Sequence, residues 1–144
     1  MLLGEYAQKL DEKNRVTVPA RLREPFGDGL FVTRGLDKCV AIYARDGWDA
    51  FVEQQIGRLD PFTREGRQME RFLFGGAVEA DLDRQGRVAV PAPLMQHAAL
   101  QREIVVVGVR DRLEIWDRAA WERGLAELEG SAENVAERLV RDGR

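Results

Sequence analysis

The stretch "LDEKNRVTVPARLRE", starting at Leu10, returns as "LDRQGRVAVPAPLMQ", starting at Leu82, 72 residues further along a chain of 144. Eight of the fifteen aligned positions are identical: Leu, Asp, Arg, Val, Val, Pro, Ala and Leu. Such a duplication constrains the fold more than any other feature, because the chain must be assembled from two similar parts of roughly 70 residues. Parts of that size bury too little surface for confident independent stability, so the halves are expected to interlock around one core. The likeness continues downstream, where "VTRGLDKCVAIYARDGWDAF" is echoed by "VVVGVRDRLEIWDRAAWERG". There Gly35 matches Gly108, Ile42 matches Ile115, Tyr43 matches Trp116 and Trp48 matches Trp121. That offset is 73, so a loop between the two blocks has gained one residue.

Both halves read in the same order. A strand is expected near Glu5 to Leu10. Residues Arg15 to Val18 alternate, with Val16 and Val18 on one side and Arg15 and Thr17 on the other. Pro19 predicts a helix start at "PARLREPF", since proline is accepted where the first-turn amide has no partner. Two short strands follow, "GLFVTRG" and "CVAIYA", separated by a loop at Leu36 to Lys38. A helix comes next, with Asp46 near its start and Trp48, Phe51, Val52 and Ile56 as an apolar stripe. The second half repeats the order through "VAVPAPLMQHAAL", "EIVVVGV", "RLEIWD" and "RAAWERGLAELE". Two segments stand outside the repeat. "DPFTREGRQMERFLFGG" predicts a bridging helix with Met69, Phe72 and Leu73 buried and Arg64, Arg67 and Arg71 on another face. "SAENVAERLVRDGR" predicts a terminal helix capped by Ser131, with Val135 and Leu139 one turn apart, either frayed or held by a neighbouring subunit. The expected class is α+β with a mainly β core and peripheral helices. The expected units are a first repeat at 1–60, a connecting helix at 61–76, a second repeat at 77–129 and a helical tail at 130–144.

The spacing from acid to arginine predicts a specific turn. Glu12, Lys13 and Asn14 lie between Asp11 and Arg15; Arg84, Gln85 and Gly86 lie between Asp83 and Arg87. Asparagine in one copy and glycine in the other are the residues best tolerated in a left-handed conformation. A three-residue loop built as a type I turn followed by a left-handed residue wants an aspartate at its first corner and glycine or asparagine at its last. Such a turn sets each aspartate opposite its arginine and fixes the register. Turn capping and a cross-strand ion pair suffice to explain Asp11 and Asp83. The arginines ask for more, because each sits on the polar face beside further hydrogen-bonding groups: Lys13, Asn14 and Thr17 in the first copy, Arg84 and Gln85 in the second. A rigid ribbon or its loop enters the DNA major groove, where arginine pairs bidentately with guanine and amides pair with adenine. Lys13 favours the first copy as the stronger contact.

Asp-x-x-x-Arg followed by Val-x-Val-Pro-Ala, written twice in a chain of this length, resembles the MraZ family over nearly the full chain, and the motif is matched without departure. One copy alone would point only to the wider AbrB-like group of swapped-hairpin DNA-binding proteins. The resemblance implies a pseudo-duplicated swapped-hairpin, AbrB-like barrel within one chain, so that the two repeats are AbrB-like units. It also implies assembly into ring-shaped homo-oligomers, nucleoid association, and sequence-specific regulation of transcription upstream of the bacterial division and cell-wall gene cluster. The motif residues carried over are Asp11, Arg15, Asp83 and Arg87. The partners implied are double-stranded DNA bearing repeated promoter boxes and further copies of the chain; no cofactor is implied.

Composition bears on this in one respect. The formal net charge of −3 gives no global basic signal for nucleic acid, so binding must come from local placement and from many subunits engaging spaced boxes together. No apolar run approaches a membrane span, and "MLLGEYAQK" lacks the basic start and apolar stretch of a secretion signal, which reads as cytoplasmic. The single cysteine, Cys39, excludes an internal disulfide framework and reads as a small buried apolar residue. "DLDRQG" from Asp81 opens like a calcium loop, but its twelfth position is Ala92 where a bidentate glutamate is needed, so no metal is expected. His97, the only histidine, has no second ligand or nucleophile near it in sequence and reads as a packing or surface residue. Arg64, Arg67 and Arg71 read first as a solvated face, since Glu65 and Glu70 lie among them, with a secondary phosphate-contacting stripe as the alternative. Trp48, Trp116 and Trp121 read as core or subunit interface. A DNA-binding regulator without catalysis is thus the leading expectation. A non-catalytic ring-forming protein-interaction scaffold is the alternative, and an enzyme ranks last because no nucleophile, phosphate loop or metal cluster survives inspection.

Overall fold

A computed structural model describes residues 1–142. Eight strands and four helices are present: β1 (Leu2–Lys9), β2 (Arg15–Thr17), β3 (Leu30–Arg34), β4 (Val40–Ala44), α1 (Arg45–Gln54), α2 (Arg64–Gly75), β5 (Val78–Ala80), β6 (Arg87–Ala89), α3 (Ala92–His97), β7 (Glu103–Arg110), β8 (Leu113–Asp117) and α4 (Arg118–Asp142). Six strands form one antiparallel sheet in the order β1-β7-β8-β4-β3-β5, and β2 pairs with β6 in a separate ribbon. The order reads the same from either end if each strand is exchanged for its counterpart in the other half. β1 pairs with β7 and β5 with β3, so the first strand of each half is hydrogen-bonded to the other half.

The inner sheet face is apolar because alternate residues point to it. Leu30, Val32, Val40, Ile42, Ile104, Val106, Leu113 and Ile115 line it. Val16, Val18, Val88 and Val90 descend onto them from the ribbon, joined by Leu22, Phe26 and Leu94 from the segments that follow. This arrangement replaces the expected barrel. The sheet is open, with β1 and β5 at its edges and no pairing between them among the described residues. The ribbon covers the core from above, so the apolar interior is closed by side-chain packing and not by a last row of strand hydrogen bonds.

Several local expectations are corrected. "PARLREPF" forms two 3-10 turns, Ala20–Leu22 and Glu24–Phe26, with Pro19 capping the first. Pro25 has no amide to donate and crowds the preceding turn, so a continuous α-helix cannot pass through it. The second copy has its internal proline at Pro93, inside the first turn of α3, and forms a true short helix. β1 begins at Leu2, earlier than expected. Ile56 is buried as expected but in a 3-10 turn beyond the end of α1. In α2, capped by the Thr63 hydroxyl accepting from the Gly66 amide, Leu73 is buried and Met69 and Phe72 half-buried. Ser131 caps nothing. It lies inside α4, its hydroxyl bonded to the Glu127 carbonyl one turn back, because the alanines, leucines and glutamates around it sustain one helix from Arg118 to Asp142. The last two residues of the predicted tail lie outside the described part.

The outer sheet face is covered unequally. Over β3 and β4, Trp48, Phe51 and Val52 of α1 pack on Phe31, Ala41 and Tyr43, and Phe74 of α2 meets the Trp48 ring edge-on at 5.9 Å. Thr33, fully buried, donates its hydroxyl to the Leu73 carbonyl at 2.6 Å and ties α2 down. The counterpart aromatics of the second half, Trp116 and Trp121, are only half-buried and lean on each other at 5.7 Å. No helix of the described residues is long and apolar enough to cross a membrane.

Candidate nucleic-acid interface

Both predicted turns are present. The Asn14 amide donates to the Asp11 carbonyl at 3.0 Å, and Asn14 has φ 55°. In the second copy the Gly86 amide donates to the Asp83 carbonyl at 2.9 Å, and Gly86 has φ 77°. Each aspartate then organises its loop. Asp11 Oδ1 accepts from the Lys13 and Arg15 amides, and Asp83 Oδ1 from the Gln85 and Arg87 amides, all at 2.9 Å. The other oxygen takes the guanidinium: Arg15 Nε donates to Asp11 Oδ2 at 2.6 Å and Arg87 Nε to Asp83 Oδ2 at 2.8 Å. These bonds favour the ionised acid, the Arg15 and Arg87 amides most of all, so both carboxyls are held below the ordinary aspartate range.

The strands beside each tip do not form a hairpin with each other. The Asp11 amide makes one bond to the Arg15 carbonyl, after which β1 leaves to pair with β7 and β2 with β6. The expected two-stranded ribbon therefore exists, but it takes one strand from each half. Its register sets Arg15 opposite Ala89, Val16 opposite Val88 and Thr17 opposite Arg87. The Val18 amide bonds to the Gly86 carbonyl and the Val90 amide to the Asn14 carbonyl, which extends the ladder at both ends. A tip stands at each end, about 13 Å apart at ~3.3 Å per residue.

This pairing brings the two motif copies together. Arg15, Thr17, Arg87 and Ala89 share the outward face, while Val16 and Val88 point into the core. Arg15 Nη1 lies 3.8 Å from Asp83 Oδ2, and Arg87 Nη1 lies 3.9 Å from Asp11 Oδ2. The four charges thus form one neutral ring, each arginine bonded to its own aspartate and facing the other's. Exposed ion pairs add little stability, so what this ring supplies is orientation. The Arg15 and Arg87 side chains keep 26% and 29% of their surface open to solvent. Lys13, Asn14, Arg84 and Gln85 are exposed at the tips, and Thr17 is half-buried.

Two residues that support this surface were missed from sequence. Gln8 lies on β1, and its side-chain amide donates to the Thr17 carbonyl at 2.7 Å while its oxygen accepts from the Thr17 amide at 2.9 Å. It completes β2 as a further strand would. Arg23 extends over Gly86, its Nε donating to the Val18 carbonyl at 2.7 Å. Their counterparts under the repeat are Ala80 and Met95, so the only available signal was that the repeat breaks at both positions.

The other candidates fall elsewhere. Arg64, Arg67 and Arg71 are exposed on α2, with Arg67 bonded to the Pro61 carbonyl. His97 Nε2 lies 2.9 Å from the Gly35 carbonyl and the ring packs edge-on to Phe72, a packing role as expected. Cys39 is buried, and burial pushes its thiol up to about 12. Among the described residues no group of three or more histidine, cysteine, aspartate or glutamate side chains is placed to hold a metal ion.

The fold and surface together define an internally two-fold α+β protein that presents one ribbon, two charged tips and a guanidinium pair locked by carboxylates. The chain belongs to the MraZ family: a family model described as "MraZ protein, putative antitoxin-like" matches residues 1–72 and again 73–143. It is 45% identical over 141 residues to the "Transcriptional regulator MraZ" of Moorella thermoacetica, with 97% of both chains covered. The protein of that name from Desulforamulus reducens is 46% identical over 97% of this chain and 98% of its own. The one from Natranaerobius thermophilus is 41% identical, covering 97% of each.

Proposed function

We propose that this chain regulates transcription by binding repeated boxes in promoter DNA in a sequence-specific manner, using the outward face of the β2–β6 ribbon and its two tips. The observation that carries this reading is the ring of Asp11, Arg15, Asp83 and Arg87, which fixes two guanidinium groups side by side on an outward face. An arginine held at Nε keeps its Nη edge for a base or phosphate, and restraining it beforehand lowers the entropy lost on binding. Lys13, Asn14, Arg84 and Gln85 supply further donors and amides at the tips. The naming of the relatives as transcriptional regulators supports the same reading, and the resemblance to the family points to the region upstream of the division and cell-wall gene cluster.

Since the ring of charges is neutral, one subunit attracts DNA weakly, and several subunits acting on spaced boxes raise the effective concentration. Assembly of the chain into a ring-shaped homo-oligomer fits this need, and Leu128, Leu139 and Val140 of α4 leave apolar surface exposed for it. The protein then works in the cytoplasm, on the nucleoid. The test is a gel-shift with the DNA upstream of its own gene across a salt series, alongside native mass measurement. Arg15→Lys keeps the charge and loses the fork, so it is expected to lose about 1–3 kcal/mol of discrimination between boxed and unrelated DNA per engaged subunit. Equal affinity of the unaltered protein for both duplexes would reject sequence-specific binding. If Arg15→Lys instead unfolds the protein, the ion pair is structural.

A further inference from the structure

The two tips are related by the internal two-fold but are not chemically equal. The first carries Glu12, Lys13 and Asn14, whose formal charges cancel; the second carries Arg84, Gln85 and Gly86. Glu12 stands where the second tip has Arg84. Arg23, which lies outside both Asp-x-x-x-Arg motifs, adds to this imbalance. From the 3-10 turn after β2 its side chain crosses the ribbon and covers Gly86, so closely that a Cβ there would collide with the guanidinium. Its Nε is fixed on the Val18 carbonyl. Its Nη1 and Nη2 donate to no acceptor, and no carboxylate lies within 4.0 Å of it, among the described residues. Arg15 and Arg87 are neutralised by their aspartates; Arg23 is not. The equivalent position above the first tip is Met95, which packs against the core and offers no charge.

We infer that Arg23 is a phosphate-contacting residue of the DNA interface, and that with Arg84 it makes the second tip the stronger electrostatic anchor. The inference rests on the DNA-binding reading above. A guanidinium anchored through Nε presents its two Nη groups as a fork, the geometry that matches two oxygens of one phosphate. Attached to the backbone of the tip through Val18 and packed on Gly86, it moves with the loop that carries Arg84. The sequence favoured the first tip through Lys13; with Glu12 beside that lysine, the balance of uncompensated charge lies with the second.

The experiment uses the full chain with two duplexes, one from its own upstream region and one unrelated. Arg23→Gln is expected to weaken binding to both by a similar factor, because phosphate contacts carry no sequence information. It is also expected to reduce the slope of log affinity against log salt by about 0.9 for each phosphate that the side chain no longer neutralises. Arg23→Lys restores most of the slope, and Lys13→Gln reduces it less than Arg23→Gln does. A wild-type slope in a folded Arg23→Gln protein overturns the inference, as does a larger reduction from Lys13→Gln. A second measurement needs no variant: phenylglyoxal modification read by mass spectrometry, in which DNA is expected to protect Arg23 together with Arg84, and unchanged labelling of Arg23 in the complex overturns the assignment. Failure of the wild type to bind either duplex is a different result, which removes the proposed function and this inference with it.

Discussion

Val16 lies directly across the ribbon from Val88, its own counterpart 72 residues later. In an antiparallel pair a residue can face its own equivalent only where a two-fold axis passes between them. Ala41 and Glu114, counterparts at the offset of 73, meet in the same way between β4 and β8. The axis therefore runs through both the ribbon and the centre of the sheet. Each motif copy closes its own ion pair, and the axis sets the two pairs against each other: Arg15 also faces Asp83, and Arg87 faces Asp11.

The tips respond to acid in a direction fixed by their aspartates. Asp11 and Asp83 have folded-state values below the ordinary one of about 3.9. Their contribution is therefore fully present above that value and is lost as pH falls through the lowered folded values. The tips are expected to hold their geometry at neutral and mildly acid pH and to loosen only below about pH 4. Amide exchange at Lys13, Arg15, Gln85 and Arg87 across a pH titration measures this; loosening near pH 6 would contradict it.

The interchange of asparagine and glycine at the loop corners is not symmetrical in consequence. Asn14 is exposed in the open loop, so Asn14→Gly is expected to change stability by no more than about 0.5 kcal/mol. Gly86→Ala adds a Cβ where φ is 77° and where Arg23 already sits. It is expected to destabilise by about 1–3 kcal/mol, from the left-handed strain and the displaced side chain. Urea denaturation of the two variants side by side decides.

Gln8 holds β2 on one side as a strand would, and Ala80 gives the second half nothing equivalent. Gln8→Ala removes two hydrogen bonds and leaves the Thr17 amide and carbonyl to water. A loss of about 1–3 kcal/mol is expected, at about 1 kcal/mol per bond with a larger loss if either group stays buried. Hydrogen exchange should accelerate at Thr17 and not at Ala89.

Cys39 tests the packing of the hairpin end. Its thiol is pushed up to about 12, first by burial and then by the nearby Glu114 carboxylate. At pH 8 it is expected to be unreactive toward a thiol-specific disulfide reagent in the folded protein and to react at once in denaturant. Rapid labelling of the native chain would show that the loop at Leu36 to Lys38 opens.

Much of the local chemistry was legible in the sequence, because it involves groups within a few residues of one another. The loop corner at Asn14 and Gly86, the aspartates that cap each turn, the inward Val16 and the outward Arg15 all follow from backbone sterics and period-two alternation. The duplication also declared that the halves would interlock. Alternation, however, assigns a residue to a face and says nothing of which strand lies beside it, so the pairing of β2 with β6 and of β1 with β7 was settled only when the core closed. The same is true of the open sheet, where the ribbon's valines cover an interior that strand pairing between β1 and β5 would otherwise have had to close. Arg15 meeting Asp83, Gln8 bonding Thr17 and Arg23 resting on Gly86 are likewise products of that closure. Local sequence wrote the two tips; the long-range burial of apolar side chains brought them onto one ribbon and selected which of their neighbours would stand beside them.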